Sequence, residues 1–278
     1  QKYRSISETP QKYQGYSASF VEGVLKFLKA ELGVRDWDET EGVIPFKNGV
    51  LDLETKKLSD YAPSNRLTWC LPYDYDPQAT CVPIQNWLLE MCQEDKVIAE
   101  ILRAFLSGVV TGRTDWQKYL ELIGPGGTGK STLIRLAIAL VGQRNVHTTT
   151  LKKLEESRFE TASLKDKRLV IITDSERYAG GSSVLKALTG QDTLPYEKKM
   201  KQSTQGFTPS AMVIVAANEM IQTADYTSGL ERRRLTIGMN KRIESSAQRN
   251  LIEHNNKGEI KGEFAPYIPG LLNWVLGI

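Results

Sequence analysis

Three apolar runs in the second half of the chain have the pattern of buried β-strands. They are YLELI at 119–123, RLVIIT at 168–173 and AMVIVAA at 211–217, and polar residues follow each run directly. Since helical stretches separate the runs, they predict an α/β fold with a parallel central sheet that is covered on both faces. Ligands bind beyond the carboxyl ends of such strands, so we expect the three polar endings to meet at one site.

The preceding part of the chain predicts a mostly helical region with a few short strands. Apolar residues at helical spacing predict one helix within 17–34 and further helices over 84–110. The Asn48-Gly49 turn and the alternating runs around it predict small strands over 43–63. Residues 111–118 are typical of a linker into the domain that carries the sheet.

Composition excludes few classes of protein. The 278 residues suffice for one large domain or two smaller ones, and a net charge of +3 permits a polyanionic partner without requiring one. The cysteines, Cys70, Cys81 and Cys92, form no C-x-x-C pair, and His147 and His254 lie far from them in sequence. We therefore expect no zinc site, and the odd number of thiols suits a reducing compartment.

The sequence predicts neither a membrane-spanning segment nor a signal peptide. No run of about 18 apolar residues occurs, so no transmembrane helix is predicted. The first residues, QKYRSISETP, include neither a methionine nor the apolar core of a signal peptide. We interpret the sequence as a fragment of a longer protein.

A glycine-rich turn follows the first apolar run and precedes a helical pattern. Its sequence, GPGGTGKST, fits the phosphate-binding pattern G-x-x-x-x-G-K-[ST], in which backbone N–H groups and the start of the helix hold phosphate oxygens. Lys130 is expected to reach the β- and γ-phosphates and Ser131 to hold Mg²⁺. The residues predicted to bind the nucleotide are Gly124, Pro125, Gly126, Gly127, Thr128, Gly129, Lys130, Ser131 and Thr132.

The polar residues after the other two runs complete this predicted site. We assign Asp174 to the metal and Glu176 to the attacking water, although the reverse is possible, and both residues also suit an ordinary helix cap or turn. Asn218 offers a donor and an acceptor for the γ-phosphate or the water, but asparagine is also common where strands end.

The ordered set of motifs resembles a known family. The motifs are GPGGTGKST, KRLVIITDSE, AMVIVAANE and LERRRLTI in the second half, FKNGVLDLETKKL and YDYDPQATCVPIQNWLLEM before them, and YIPGLLNWVLGI at the end. In this order they resemble the superfamily 3 helicases. More narrowly, they are similar to the helicase part of phage and plasmid primase–helicase proteins, which are related to the poxvirus primase–helicase.

The resemblance implies an AAA+ ATPase that forms a ring, usually a hexamer, and pulls single-stranded nucleic acid through its pore. It implies a helicase-associated N-terminal region at 1–110, the linker at 111–118, an ATPase core at 119–243 and a C-terminal helical segment at 244–278 that closes the ATPase domain. The implied catalytic residues are Lys130 in the first motif, Asp174 and Glu176 in the second, Asn218 as sensor 1, and Arg232 or Arg233 as arginine finger.

The resemblance also implies a contact with nucleic acid. Lys198, Lys199 and Lys201 lie between the second and third runs, where the family has a hairpin with a basic tip in the pore. A solvated surface turn is the alternative for these lysines. Tyr196 and Phe207 suit stacking on a base, although packing is the commoner role of such rings. The run Arg232 to Arg234 suits a γ-phosphate of a neighbouring subunit or a generic basic patch.

We therefore expect a replicative DNA helicase module of a phage, plasmid or mobile element that uses ATP and Mg²⁺. Its expected partners are single-stranded DNA, further copies of itself, and a primase or polymerase domain elsewhere in the full-length protein. The expected location is the cytoplasm, that of the host cell if the protein is viral. The alternatives are a small-molecule or nucleotide kinase, which shares the phosphate loop, and a DNA-binding loader that uses ATP as a switch.

Overall fold

A computed structural model describes residues 15–32, 39–173, 178, 180–197, 204–221, 228–244, 249–255 and 258–278. The chain divides into two compact units, Gln1–Glu39 and Thr40–Ile278. The first unit contains helix α1, Ala18–Glu31, which Ser17 caps by accepting a hydrogen bond from the Phe20 N–H at 3.2 Å.

The second unit begins with a small sheet and two helices and continues as alternating strands and helices. Its elements are β1 (Val43–Phe46), β2 (Gly49–Asp52), β3 (Leu58–Ser59), α2 (Val82–Met91), α3 (Lys96–Thr111), β4 (Tyr119–Ile123), α4 (Lys130–Val141), β5 (Val146–Thr150), α5 (Leu151–Glu156), β6 (Leu169–Thr173), α6 (Ser183–Gly190), β7 (Leu194–Tyr196), β8 (Thr204–Phe207), β9 (Met212–Ala217), α7 (Ser228–Glu231), β10 (Arg234–Gly238), β11 (Glu253–His254), β12 (Ile260–Lys261) and α8 (Ile268–Leu276).

The predicted parallel sheet is confirmed. Five strands lie in the order β10-β4-β9-β6-β5, and every neighbouring pair is parallel. The three predicted strands are the central ones, β4, β9 and β6. The fifth strand, β5, was not predicted because its sequence, VHTTT, is polar, as an edge strand with a single neighbour permits.

Both faces of this sheet are covered, as the continuous apolar runs predict. Alternate residues of β9 point to opposite faces, so that Met212 and Ile214 join one buried cluster while Val213 and Val215 join the other. Helices α3, α4 and α8 contribute to the first cluster, and α5 and α6 contribute to the second. The small antiparallel sheet β1-β2-β3 packs into the first cluster through residues such as Phe46 and Leu51.

The two compact units divide the chain at a different place from the expected linker. Residues 111–118 lie inside the second unit, where they contain the end of α3 and a 3-10 turn at Thr114–Trp116. The boundary between units falls instead between Glu39 and Thr40. The C-terminal part of the chain contains the strand pair β11-β12 in addition to the predicted helix, α8. The functional division into 1–110, 119–243 and 244–278 stays a prediction.

Candidate functional site

The glycine-rich loop joins β4 to α4, as predicted. Gly124 has φ of +151°, and a Cβ there would lie 2.0 Å from the Met239 carbonyl oxygen. Gly129, with φ of +89°, would bring a Cβ within 2.8 Å of the Met91 Sδ atom. Glycine is required at Gly124 because a Cβ would overlap the backbone that follows β10, and it is favoured at Gly129 because that residue has left-handed φ.

Hydrogen bonds hold this loop in a defined shape. The Thr128 hydroxyl donates to the Pro125 carbonyl at 3.0 Å, and Thr128 is buried. The Ile243 N–H donates to the Gly127 carbonyl at 2.9 Å, which fixes the far side of the loop. The Lys130 ammonium donates to the Gly124 carbonyl and, at 2.7 Å, to the Pro125 carbonyl. The charge of Lys130 therefore lies at the loop itself.

Strand register brings Asn218 beside this loop. Ile123, the last residue of β4, is paired with Ala217, the last residue of β9. Gly124 and Asn218 come directly after these two residues and thus leave the sheet at the same level. We call this end of the sheet, where the parallel strands finish, the carboxyl edge.

A cleft of about 760 Å³ opens at the carboxyl edge, within the size range of small-molecule sites. Its lining includes the predicted Lys130, Ser131, Thr132 and Asn218 together with the glycine loop. The lining residues are Trp87, Glu90, Met91, Gly126, Gly127, Thr128, Gly129, Lys130, Ser131, Thr132, Arg135, Asn218, Ile243, Arg249 and Leu251.

Several of these lining residues were missed in the sequence. Arg135 follows Ser131 by one helical turn, so its place on the same face of α4 could have been found. Trp87 and Met91 on α2 come from far upstream, and no local pattern links them to the loop. Burial lowers the pKa of His254, and the positive charge of Arg135 lowers it further. The charge of Arg135 therefore also acts on a residue outside the cleft.

The two predicted carboxylates, Asp174 and Glu176, lie outside the described residues. The strand before them, β6, ends at Thr173 at the carboxyl edge. Within the described part of the chain, no group of three or more His, Cys, Asp or Glu side chains is arranged to hold a metal ion. The assignment of Asp174 to the metal stays a prediction.

The three arginines lie at the opposite end of the sheet from the cleft. Arg234 is paired with Tyr119 at the start of β10 and β4, which we call the amino edge. Its Nε atom donates to the Tyr119 hydroxyl at 2.9 Å and lies 3.4 Å from a carboxylate oxygen of Glu121. Arg233 donates to the Gly229 carbonyl at 3.0 Å, whereas Arg232 is exposed. Neither Arg232 nor Arg233 lines the cleft.

The predicted nucleic-acid lysines, Lys198, Lys199 and Lys201, also lie outside the described residues. The described strands on either side of them in sequence, β7 and β8, pair in antiparallel fashion. Tyr196 and Phe207 contact each other edge to face, with ring centroids 6.1 Å apart. These two rings therefore pack on each other, and the DNA contact of the lysines stays a prediction.

Two family models match the chain. A model described as D5 N terminal like matches residues 4–93, and a family of unknown function, DUF5906, matches residues 122–234. The second match begins near the end of β4, includes the glycine-rich loop and ends at Arg234.

Two viral proteins are similar in sequence. The chain is 26% identical over 211 residues to "Putative helicase L207/L206" of Acanthamoeba polyphaga mimivirus, a match that covers 72% of this chain and 22% of that protein. It is also 26% identical over 240 residues to "Putative helicase 121R" of Invertebrate iridescent virus 3, covering 79% and 25%. The chain thus spans about a quarter of the length of these relatives.

A shorter relative and two solved structures extend the comparison. The "Uncharacterized mitochondrial protein ymf21" of Marchantia polymorpha is 26% identical over 155 residues, covering 51% of this chain and 86% of that protein. An apo structure of the NrS-1 C-terminal region has a TM-score of 0.61 at 15% identity and covers 92% of this chain and 60% of that chain. Another gives 0.54 at 16% identity, covering 74% and 50%. At such identities the likeness shows the fold.

Among the described helices, none is both long enough and apolar enough to cross a bilayer.

Proposed function

Because the chain is related to the primase–helicases of phages and viruses, as its motifs predict, we propose that it is an ATP-driven DNA helicase module of superfamily 3. Residues 119–243 form its AAA+ ATPase core, with 1–110 as the N-terminal region and 244–278 as the closing segment. Copies of the module assemble into a ring, a hexamer in the family it resembles, and the ring moves along single-stranded DNA.

The main support for this proposal is that Lys130, Ser131 and Asn218 line one cleft at the carboxyl edge. The glycine loop suits a triphosphate, since a Cβ placed on Gly126 would meet nothing within 4 Å and the backbone is open to a ligand there. On binding, Lys130 exchanges its carbonyl partners for phosphate oxygens and offsets the charge that develops on the γ-phosphate.

The donor set also suits Mg²⁺, which prefers oxygen ligands and retains water. Ser131 and Asp174 are the residues that would hold it, and when bound it would neutralise charge on the phosphates. Glu176 and Asn218 orient the attacking water in this proposal. The apolar side of the cleft, formed by Trp87 and other residues, suits the flat face of the base.

The position of the arginines favours action on a neighbouring subunit. Arg234 lies four residues before Gly238 on β10, and a strand rises about 3.3 Å per residue, so about 13 Å of strand separates its backbone from the level of the glycine loop. Arg232 precedes β10 by two residues and does not line the cleft of its own subunit. An exposed guanidinium at the amino edge can instead complete the cleft of the next subunit in a ring. Arg232 is therefore the stronger candidate for the arginine finger, and Arg233 the weaker.

The proposal is tested by an ATPase assay of the purified chain with and without single-stranded DNA, combined with a strand-displacement assay. A helicase module hydrolyses ATP faster when single-stranded DNA is added. Transfer of the γ-phosphate to a small-molecule acceptor would identify a kinase instead. Nucleotide and DNA binding without turnover would identify an ATP-switched loader.

A further inference from the structure

A carboxylate lies in the middle of the strand that leads to the glycine loop. Glu121 is completely buried in β4, although an isolated buried carboxylate is strongly unfavourable. One of its oxygens accepts a hydrogen bond from the Ile221 backbone N–H at 3.0 Å. The other accepts from the Thr236 hydroxyl at 2.9 Å and lies 3.4 Å from Nε of Arg234.

Arg234 binds the other polar group of the Ile221 backbone, which is its carbonyl. Its Nη2 atom donates to the Ile221 carbonyl at 3.2 Å. The Glu121–Arg234 pair therefore satisfies both the N–H and the C=O of Ile221, a role that a neighbouring strand would otherwise have. The Ile221 side chain is 4% exposed, so the segment is fixed at this residue by packing as well as by hydrogen bonds.

Ile221 lies three residues after Asn218. Before Asn218, the chain is held by the pairing of Ala217 with Ile123 at the end of β9. After it, the chain is held by the Glu121–Arg234 pair. The short turn that carries the Asn218 amide is thus anchored on both sides, and both anchors connect it to β4, the strand that continues into the glycine loop.

We propose that Glu121 is a positioning residue that fixes the Asn218 turn relative to the glycine loop. The inference rests on the proposed ATPase function, since Asn218 is the group through which Glu121 acts. It assigns to a buried ion pair a role in hydrolysis beyond the folding of the sheet. Loss of the pair leaves the triphosphate bound by the loop, but Asn218 is no longer held where it orients the water.

The first test replaces Glu121 by glutamine. A carboxylate accepts hydrogen bonds on both oxygens, whereas an amide accepts on one only, so Glu121→Gln brings an NH₂ group against either the Ile221 N–H or the Arg234 guanidinium. We expect kcat for ATP hydrolysis to fall about tenfold, which is typical of a residue that affects a site indirectly, through other residues. The affinity for a fluorescent ATP analogue should stay close to that of the wild type, because the glycine loop is untouched.

A second variant covers the case in which Glu121→Gln fails to fold. The double variant Glu121→Met/Arg234→Met replaces the ion pair by two apolar side chains, which buried sites often tolerate well, and leaves Ile221 without its partners. It should fold, bind the analogue and show the same loss of kcat. Ile44→Ala, a cavity variant in β1 outside the cleft, is the matched control for lowered stability and should keep the wild-type kcat below its unfolding transition.

A double-mutant cycle with Asn218 separates positioning from a purely structural role. Asn218→Ala alone should lower kcat about 10²-fold, as expected for one stabilising polar group at the reacting phosphate. In that background, Glu121→Gln should lower kcat no further, because two residues that act as a unit are not additive.

The outcomes distinguish the inference from the function on which it rests. A wild-type chain that binds ATP but does not hydrolyse it would overturn both. An active wild type combined with full activity in the folded Met/Met variant would overturn the inference alone. Additive losses in the cycle with Asn218→Ala would do the same, because they would show that Glu121 does not act through Asn218.

Discussion

The two edges of the central sheet hold their charged groups in different ways. At the carboxyl edge, Lys130 and Asn218 line an open cleft that is wide enough for a nucleotide. At the amino edge, Arg234 is engaged in a buried network with Glu121 and Tyr119, and of the three arginines Arg232 is the exposed one.

This difference has a consequence for the proposed assembly. The cleft contains Lys130 and Arg135 but neither of the predicted finger arginines, and the exposed Arg232 lies outside it. Two surfaces at opposite edges of one chain suit head-to-tail contacts between identical subunits, and such contacts form a ring when the rotation from one subunit to the next closes. On this account each nucleotide site is built from the carboxyl edge of one subunit and the amino edge of the next.

The largest expected effect is at the exposed arginine. Arg232→Ala should lower the ATPase rate by about 10³-fold or more, the size of effect that arginine fingers have in other P-loop enzymes. Because Arg232 is exposed, the thermal midpoint of unfolding should stay at the wild-type value. Steady-state ATPase measurements and thermal unfolding of the same preparation check both parts. A rate close to wild type would show that Arg232 does not act at the nucleotide.

The next effect concerns the cleft itself. Lys130→Ala should lower the ATPase rate on the order of 10²–10³-fold, because it removes a charge placed where the γ-phosphate develops negative charge. The far-ultraviolet circular dichroism spectrum should be unchanged. A folded Lys130→Ala protein with near wild-type turnover would contradict the assignment of the cleft.

The adjacent arginines should give opposite results. Arg234→Ala leaves the fully buried Glu121 without its cationic partner, and breaking a buried pair in this way costs about 3–5 kcal/mol of unfolding free energy. Urea unfolding measures this loss, and Arg232→Ala is the matched control that should show none. A loss below about 1 kcal/mol, the value of an exposed ion pair, would show that the network contributes little to the fold.

The smallest effect concerns DNA affinity rather than turnover. Changing Lys198, Lys199 and Lys201 to alanine should flatten the slope of log affinity against log salt by about 0.7 per lysine for single-stranded DNA. Binding should weaken similarly for all sequences, while ATPase without DNA persists. The matched control is the triple alanine variant of the exposed lysines 47, 56 and 57, which changes the net charge equally. Identical salt slopes in both triple variants would favour the solvated-turn interpretation of Lys198, Lys199 and Lys201.

The carboxyl edge was largely predictable from the sequence. Three apolar runs with polar endings predict β4, β6 and β9 in one parallel sheet, and register then brings the glycine loop and Asn218 together. Strand β5 was not predicted because its sequence, VHTTT, contains no apolar run. Trp87 and Met91 of α2 were not predicted to line the cleft, because they reach the loop through tertiary packing and no local sequence pattern indicates that contact.

The amino edge was predictable only in part. The run Arg232 to Arg234 suits a γ-phosphate of a neighbouring subunit or a basic patch, but the sequence does not show which of the three arginines is buried. A buried partner for Glu121 could have been predicted, because a single charged residue inside the apolar run YLELI requires one. Its partner Arg234 lies more than a hundred residues later in the sequence, so the identity of the pair could come only from the structure.

The most direct test of a shared site mixes two inactive proteins. Lys130→Ala protein and Arg232→Ala/Arg233→Ala protein are combined at varied ratios under conditions in which subunits exchange, and ATPase is measured. Some contacts in the mixed ring join an intact loop from the second protein to intact arginines from the first. The account predicts activity above that of either parent, with a maximum at an intermediate ratio. Rings that demonstrably mix, yet recover no activity at any ratio, would contradict it.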